Sequence, residues 1–161
     1  MNTEIFPWLT FLAGSAFAYA IFWLEGRRYK KQQKREQRLE LVKKVYDPLL
    51  AEIHENLGSL EKLDTLKKFK PKGERVKWEE LGFSTSEWEY VKTSGFYHSL
   101  EKDLAKKLHE IYGGFHEIRV WGGDVEGVLR GVEELKMEMK LNVLSKEIKE
   151  KIEDLEKSIG V

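Results

Sequence analysis

The chain opens with an apolar segment and continues with segments in which apolar and polar positions alternate. Residues 5–24 run for twenty positions without a charged side chain. At about 1.5 Å per residue this segment would span about 30 Å as a helix, the thickness of a bilayer's hydrocarbon core. A lone spanning segment must satisfy its backbone groups internally, so helix is the expected conformation. The pattern therefore predicts one transmembrane helix over residues 5–24.

Aromatic and basic residues flank this segment as they do at membrane interfaces. The positive-inside rule places the basic flank in the cytoplasm and residues 1–4 outside the cell. We therefore expect a single-pass protein of the cell membrane with an external N-terminus and a cytoplasmic C-terminus. The interface residues that we predict are Trp8, Trp23, Arg27, Arg28, Lys30 and Lys31.

A cleavable signal peptide is the alternative interpretation of the apolar segment. Ala16 and Ala18 could form a small-x-small cleavage site. However, a signal peptide carries positive charge before a shorter apolar core, whereas residues 1–4 contain only the acidic Glu4. We therefore favour a retained anchor.

The remainder shows apolar residues at steps of three and four, which is the helical period. Asp47 and Pro48 resemble a capping residue followed by a first helical position, so we predict a basic juxtamembrane helix over 25–46 and a second helix from Pro48 to about Lys68. The two helices join through either a kink or a true turn. The apolar face of the second helix comprises Leu49, Leu50, Ile53, Leu57, Leu60, Leu63 and Leu66.

The C-terminal half predicts one short helix and two long ones. The short helix passes through Trp88 and Val91, capped by a hydroxyl of Ser84, Thr85 or Ser86. A long helix follows from Tyr97 to Ile118, which Gly113 and Gly114 could bend. Asp124 caps a last helix to about Ser158, with a shift of register near residues 140–142. The predicted fold is all-α: a transmembrane helix, then an antiparallel bundle of three long helices and a short one over residues 47–161.

The net charge of zero is a cancellation between segments. Residues 25–44 contain nine basic and three acidic side chains, whereas the rest of the chain is acidic. This basic collar would be attracted to anionic lipid headgroups. Aromatic residues are scarce in it and the bundle is acidic, so we expect no nucleic-acid partner.

Candidate chemistry is sparse. The chain has no cysteine, which excludes disulfides and Cys-ligated metals, and it contains no catalytic or phosphate-binding motif. His109 and His116 share a helical face, and His98 with Glu101 has a spacing that could hold a metal in a bundle. A di-iron site would need two Glu-x-x-His motifs, which are absent. We therefore predict no cofactor, and a membrane-bound metal protein or enzyme stays the alternative.

The last predicted helix is longer than its partner helix, so part of its apolar stripe could protrude. That stripe is the candidate surface for a protein partner or for self-association as a coiled coil. The sequence thus favours a membrane-anchored, non-catalytic interaction or scaffold protein, with anionic-lipid sensing by the collar as a further alternative. The predicted partner surface comprises Ile148, Ile152, Leu155 and Ile159.

Overall fold

A computed structural model describes residues 6–69, 73, 75–121 and 123–160, without the side chains of 6–10, 64 and 121. In that part of the chain every regular element is a helix, which confirms the all-α prediction. A π-helical turn at Val42–Tyr46 and a 3₁₀ turn at Gly95–Ser99 accompany the α-helices. The α-helices are α1 (Phe6–Leu41), α2 (Asp47–Phe69), α3 (Trp78–Leu81), α4 (Ser86–Thr93), α5 (Lys102–Trp121), α6 (Val125–Glu134) and α7 (Met137–Ile159).

The chain divides into two compact units, residues 1–38 and 39–161. The first consists of α1 up to Arg38, and its large apolar side chains from Phe11 to Leu24 are exposed. Among the described residues, where the side chains of α1 are given only from Phe11 onward, no helix is both long and apolar enough for a membrane crossing. The predicted external residues 1–4, Ile5 and the side chain of Trp8 lie outside the described residues.

The two helices predicted to meet at Asp47 and Pro48 join without a turn, because the backbone stays helical there, so the prediction that Asp47 caps a new helix is wrong. Asp47 has φ −61° and ψ −49°, and its N–H donates to the carbonyl of Val42, five residues earlier. Proline cannot donate to the residue four before it, and its ring crowds that carbonyl. A wider π-helical turn accommodates this change inside a helix. Residues 42–46 therefore become part of the bundle.

The second unit is built around one apolar core. The face predicted for α2 is confirmed, since Leu49, Ile53, Leu60 and Leu63 are buried and its other leucines pack against the core. Burial of such side chains is the main stabilising term of a small bundle. The largest fully buried side chains are Trp88, Phe115, Leu49, Ile53, Leu63, Leu104, Leu108, Ile118, Met137, Leu141, Leu144 and Ile148.

Three ion pairs hold α5 and α7 in antiparallel register. The lysine nitrogens and carboxylate oxygens are 2.6 Å apart in each pair, and the pairs occur in reverse order along the two segments. The side chains are partly exposed, so screening by solvent keeps the contribution of each pair to stability small. Their value lies in selecting one register. The pairs are Glu101 with Lys151, Lys107 with Glu147, and Glu110 with Lys140.

The last predicted helix is divided into α6 and α7, several residues before the predicted shift at 140–142. Lys136 adopts a left-handed conformation with φ 51° and ψ 42° between them. Asp124 caps α6 as predicted, accepting the N–H of Gly127 at 2.8 Å. A Cβ on Gly131 would come within 3.1 Å of Ile118, so this glycine allows α6 to approach α5 closely.

Candidate functional site

The N-terminus of α4 is capped by a side chain from another helix. Glu52, in the middle of α2, is buried, and its carboxylate accepts the backbone N–H of Glu87 at 2.8 Å and that of Trp88 at 3.3 Å. The hydroxyls of Ser84 and Ser86 also donate to it. The predicted cap by a local hydroxyl is confirmed only in part: the Ser84 hydroxyl accepts the N–H of Ser86 at 3.5 Å, and the side chain of Thr85 makes no capping bond. The next two N–H groups are taken by Glu52, which the sequence did not indicate.

Two further buried polar residues of α2 bind the segment that precedes α4. Asn56 accepts the N–H of Ser84 at 2.7 Å and donates to its carbonyl at 2.8 Å, and Ser59 donates to the carbonyl of Gly82 at 2.8 Å. Their spacing with Glu52, four and three residues, places all three on one helical face. We call Glu52, Asn56 and Ser59 the polar ladder; it fixes the segment that leads into α4.

Tyr112 of α5 packs beside this ladder. Its hydroxyl is buried near the Glu52 carboxylate, but it makes no hydrogen bond of good geometry to any described residue. Burial, with the neighbouring Glu52 carboxylate as a second cause, raises the pKa of Tyr112 far above its ordinary value. The phenol is therefore neutral in the folded protein.

A chain of aromatic rings crosses the second unit. Neighbouring ring centroids are 5.0–6.4 Å apart, within the range of favourable aromatic pairs. The cluster places Trp88 in the core, whereas Trp78 stays half-buried at its edge. The rings follow one another as Tyr97, Trp88, Tyr112, Phe115, Phe83 and Trp78.

A groove of about 440 Å³ opens beside these rings, between α4 and α5. We call it the α4–α5 groove. Its volume lies within the range of small-molecule sites, about 300–1,000 Å³. The residues that line it are Trp78, Thr85, Trp88, Glu89, Lys92, His109, Tyr112, Gly113, Phe115, His116 and Arg119.

The groove has a surplus of positive charge. The Lys92 ammonium lies 2.6 Å from the Glu89 carboxylate, so these two neutralise each other. The guanidinium of Arg119 lies 6.0 Å from the ring centroid of Trp78 and has no carboxylate partner among the described residues. Arg119 is thus the cation of the groove that is available to a ligand.

Gly113 forms an open notch in the α5 wall of the groove. A Cβ built on it would meet no atom within 4 Å. His109 lies four residues before it and His116 three after it, so the imidazoles flank the notch on one helical face. The sequence correctly placed these histidines on one face, but nothing in the sequence indicated the surface opposite them.

The histidines do not form a metal site with acidic neighbours in the described part of the chain. No group of three or more potential ligands is assembled there. His54 lies 3.0 Å from the Ser145 hydroxyl, and His98 packs against the Tyr97 ring. Glu101, the predicted companion of His98, is engaged by Lys151.

The basic collar lies on α1, apart from residues 42–44, which belong to the π-helical turn. The Arg27 guanidinium stacks over the Trp23 ring at 3.6 Å, and both side chains are exposed, as are those of Arg28, Lys30 and Lys31. A shallow groove follows one side of this helix and is lined by Arg27, Lys30, Lys31, Gln33, Lys34 and Gln37.

The C-terminal stripe is covered within its own chain. Ile148 is fully buried, Ile159 is 8% exposed, and Ile152 and Leu155 are half-buried against the core. The expected protrusion does not occur because the predicted long helix is divided: α7 has 23 residues, as many as α2, and both α2 and the π-helical turn pack against it. The stripe is thus a core face of the bundle rather than a free surface.

We compared the chain with known protein families, curated proteins and solved structures. No protein-family profile, curated protein or solved structure matched this chain.

Proposed function

We propose that this protein is a single-pass membrane protein whose N-terminal helix anchors a cytoplasmic helical bundle, and that the bundle is a non-catalytic binding module. The observation that carries the proposal is the uncharged segment 5–24, whose apolar side chains from Phe11 onward project from α1 without cover. Phe17 and Phe22 are 70% and 75% exposed. Water is a poor environment for such a surface.

The energetic argument favours lipid as the cover. Removing apolar surface from water contributes about 25 cal/mol per Å², and the apolar side chains lie all around this part of α1 rather than on one stripe. A partner helix would cover only one side of α1, whereas a bilayer covers every side.

The flanking residues support the orientation. Trp23 and Arg27 combine an aromatic ring with a guanidinium stacked on it, an arrangement suited to the boundary between headgroups and water. The basic collar follows directly, which favours a cytoplasmic bundle. Anchoring would raise the local concentration of the bundle at the membrane and so favour encounters there.

Cysteine labelling tests the anchor and its orientation, because the chain has no cysteine of its own. We would place single cysteines by Asn2→Cys and by Ser158→Cys and treat intact cells with a membrane-impermeant maleimide. The Asn2→Cys protein should be labelled in intact cells, and the Ser158→Cys protein only after permeabilisation. The cysteine-free parent is the control, and alkaline carbonate should leave all three proteins in the membrane pellet.

The proposal would be overturned by release of the protein into the carbonate supernatant. A matched pair sharpens this result. Phe17→Asp places a charge in the centre of the proposed span, which costs about 3 kcal/mol in insertion, whereas Phe17→Leu does not. Only Phe17→Asp should increase the soluble fraction.

Attraction of the collar to anionic lipid is a second candidate function. The cations of Arg27, Lys30 and Lys31 have no acidic partner among the described residues, and they share one shallow groove. We would attach an environment-sensitive dye by Gln33→Cys and reconstitute the full chain in nanodiscs with and without phosphatidylserine. A blue shift specific to phosphatidylserine and reversed by salt supports the attraction; a salt-insensitive response contradicts it.

A further inference from the structure

The α4–α5 groove carries an inference that is independent of the membrane anchor. We propose that this groove binds a small planar organic anion: an aromatic ring bearing a carboxylate, with the ring over Gly113 and the carboxylate on Arg119. Neither the sequence motifs nor the comparisons assign a ligand to this place.

The charge of the lining selects an anion. Lys92 and Arg119 stand against a single carboxylate, Glu89, and that carboxylate is engaged by Lys92 at 2.6 Å. Arg119 keeps its guanidinium free of acidic partners in the described part of the chain. A guanidinium presents two parallel N–H donors that match the two oxygens of a carboxylate.

The shape of the lining selects a flat ring. At Gly113 the wall of α5 carries no side chain, and the space beyond its Cα is open. The imidazoles of His109 and His116 stand on either side of this notch, and the half-buried Trp78 forms its end beside Arg119. A planar ring placed over Gly113 would contact these aromatic side chains on several sides.

The groove is also held in a fixed shape. Its α4 wall is tied to α2 through Glu52, which receives the first N–H groups of that helix, and its floor belongs to the aromatic core. A preformed site loses less free energy in ordering itself on binding than a mobile surface does. The polar ladder thus stabilises the shape of the groove as well as the fold of the bundle.

Equilibrium dialysis tests the proposal with two matched probes, 2-naphthoate and 2-naphthamide, which share a ring and differ in charge. The full chain is used in a neutral detergent present on both sides of the membrane, so that partition into micelles cancels. We expect 2-naphthoate to bind, and 2-naphthamide to bind about fivefold more weakly or worse, since it cannot form the charge-assisted pair.

Two variants in the groove and one control outside it locate the site. Gly113→Phe fills the notch and should abolish binding of both probes, whereas Gly58→Phe, at a helical glycine of α2 that also faces open space, should leave binding unchanged. Arg119→Gln should weaken 2-naphthoate about fivefold and leave 2-naphthamide unaffected. Circular dichroism melts confirm that each variant is folded.

Three results would each overturn the proposal. The first is no binding of 2-naphthoate to the folded wild-type chain at millimolar concentration. The second is equal affinity for the acid and the amide. The third is a folded Gly113→Phe or Arg119→Gln variant that binds 2-naphthoate as the wild type does.

Discussion

Glu52 accepts the backbone N–H of Glu87 at 2.8 Å, so a side chain in the middle of one helix completes the start of another 35 residues later. Helix N-termini leave N–H groups without intrahelical partners, and these are usually satisfied by a residue next to them in sequence. Here the hydrogen-bond acceptor is the Glu52 carboxylate, which belongs to α2. The position of α4, and with it one wall of the groove, depends on this contact.

Removing the Glu52 carboxylate should destabilise the bundle. Glu52→Ala would leave the N–H groups of Glu87 and Trp88 buried without an acceptor, and we expect a loss of about 3 kcal/mol in the free energy of unfolding. Urea denaturation followed by circular dichroism measures the change. Glu55→Ala, at an exposed position on the same helix, is the control and should change stability by less than about 0.5 kcal/mol. Equal effects of the two variants would contradict the capping role.

Two adjacent glycines of α5 should respond differently to alanine. Gly113→Ala meets open space and gains helix propensity, so we expect stabilisation of about 0.5–1 kcal/mol. Gly114→Ala would bring a Cβ to 3.0 Å from Met137 and 3.3 Å from Leu135. That crowding should cancel the gain or reverse it. Thermal melts of the two variants decide the matter, and a Gly114→Ala protein as stable as Gly113→Ala would show that the α5–α7 contact is loose.

Lys136 holds a left-handed backbone conformation that favours glycine. Lys136→Gly should relieve this strain and stabilise the protein by about 0.5–1 kcal/mol, despite the greater freedom of glycine in the unfolded chain. Lys136→Ala keeps the strain and removes the charge, which makes it the matched control. The prediction fails if alanine stabilises as much as glycine, because charge rather than backbone strain would then be responsible.

Tyr112 should make the folded protein sensitive to alkali. Its pKa is raised in the folded state, so above pH 10 the unfolded chain loses this proton while the native protein keeps it. Stability therefore falls as pH rises, by up to about 1.4 kcal/mol per pH unit from this group. Denaturation curves of the wild type and of Tyr112→Phe should differ little at pH 8, and above pH 10 the wild type should lose more stability than the variant.

At pH 8 the same variant removes a hydroxyl that makes no hydrogen bond of good geometry to any described residue. We therefore expect Tyr112→Phe to be neutral or slightly stabilising there. Tyr90→Phe, at an exposed ring, is the control and should parallel the wild type at every pH. A marked destabilisation by Tyr112→Phe at pH 8 would reveal a hydrogen bond to this hydroxyl.

Local patterns were sufficient to predict the helices but not their junctions. The leucine repeat of α2 and the cap at Asp124 depend on residues within one or two turns, and the structure confirms both. The π-helical turn before Pro48 was missed because the core stabilises a helix that local proline chemistry alone would end. The left-handed Lys136 was missed because lysine carries no signal for that conformation.

The sequence predicted only one wall of the α4–α5 groove. Periodicity placed His109 and His116 on one face of α5, but the opposing wall comes from α4, whose position is set by the distant Glu52. Glu52, Asn56 and Ser59 occur among charged residues on α2 and resemble solvent-facing positions. Only tertiary contacts show that they are buried.

The aromatic chain from Tyr97 to Trp78 also gives the bundle an optical signature. Trp88 and Tyr112 are stacked at 5.7 Å with their planes 24° apart, and Phe83 and Phe115 are separated by 5.0 Å. Rings fixed so closely in an asymmetric environment couple their electronic transitions and produce near-ultraviolet circular dichroism. Loss of this packing abolishes that signal even where helices persist. Near-ultraviolet circular dichroism therefore measures the tertiary order of the bundle without an added label.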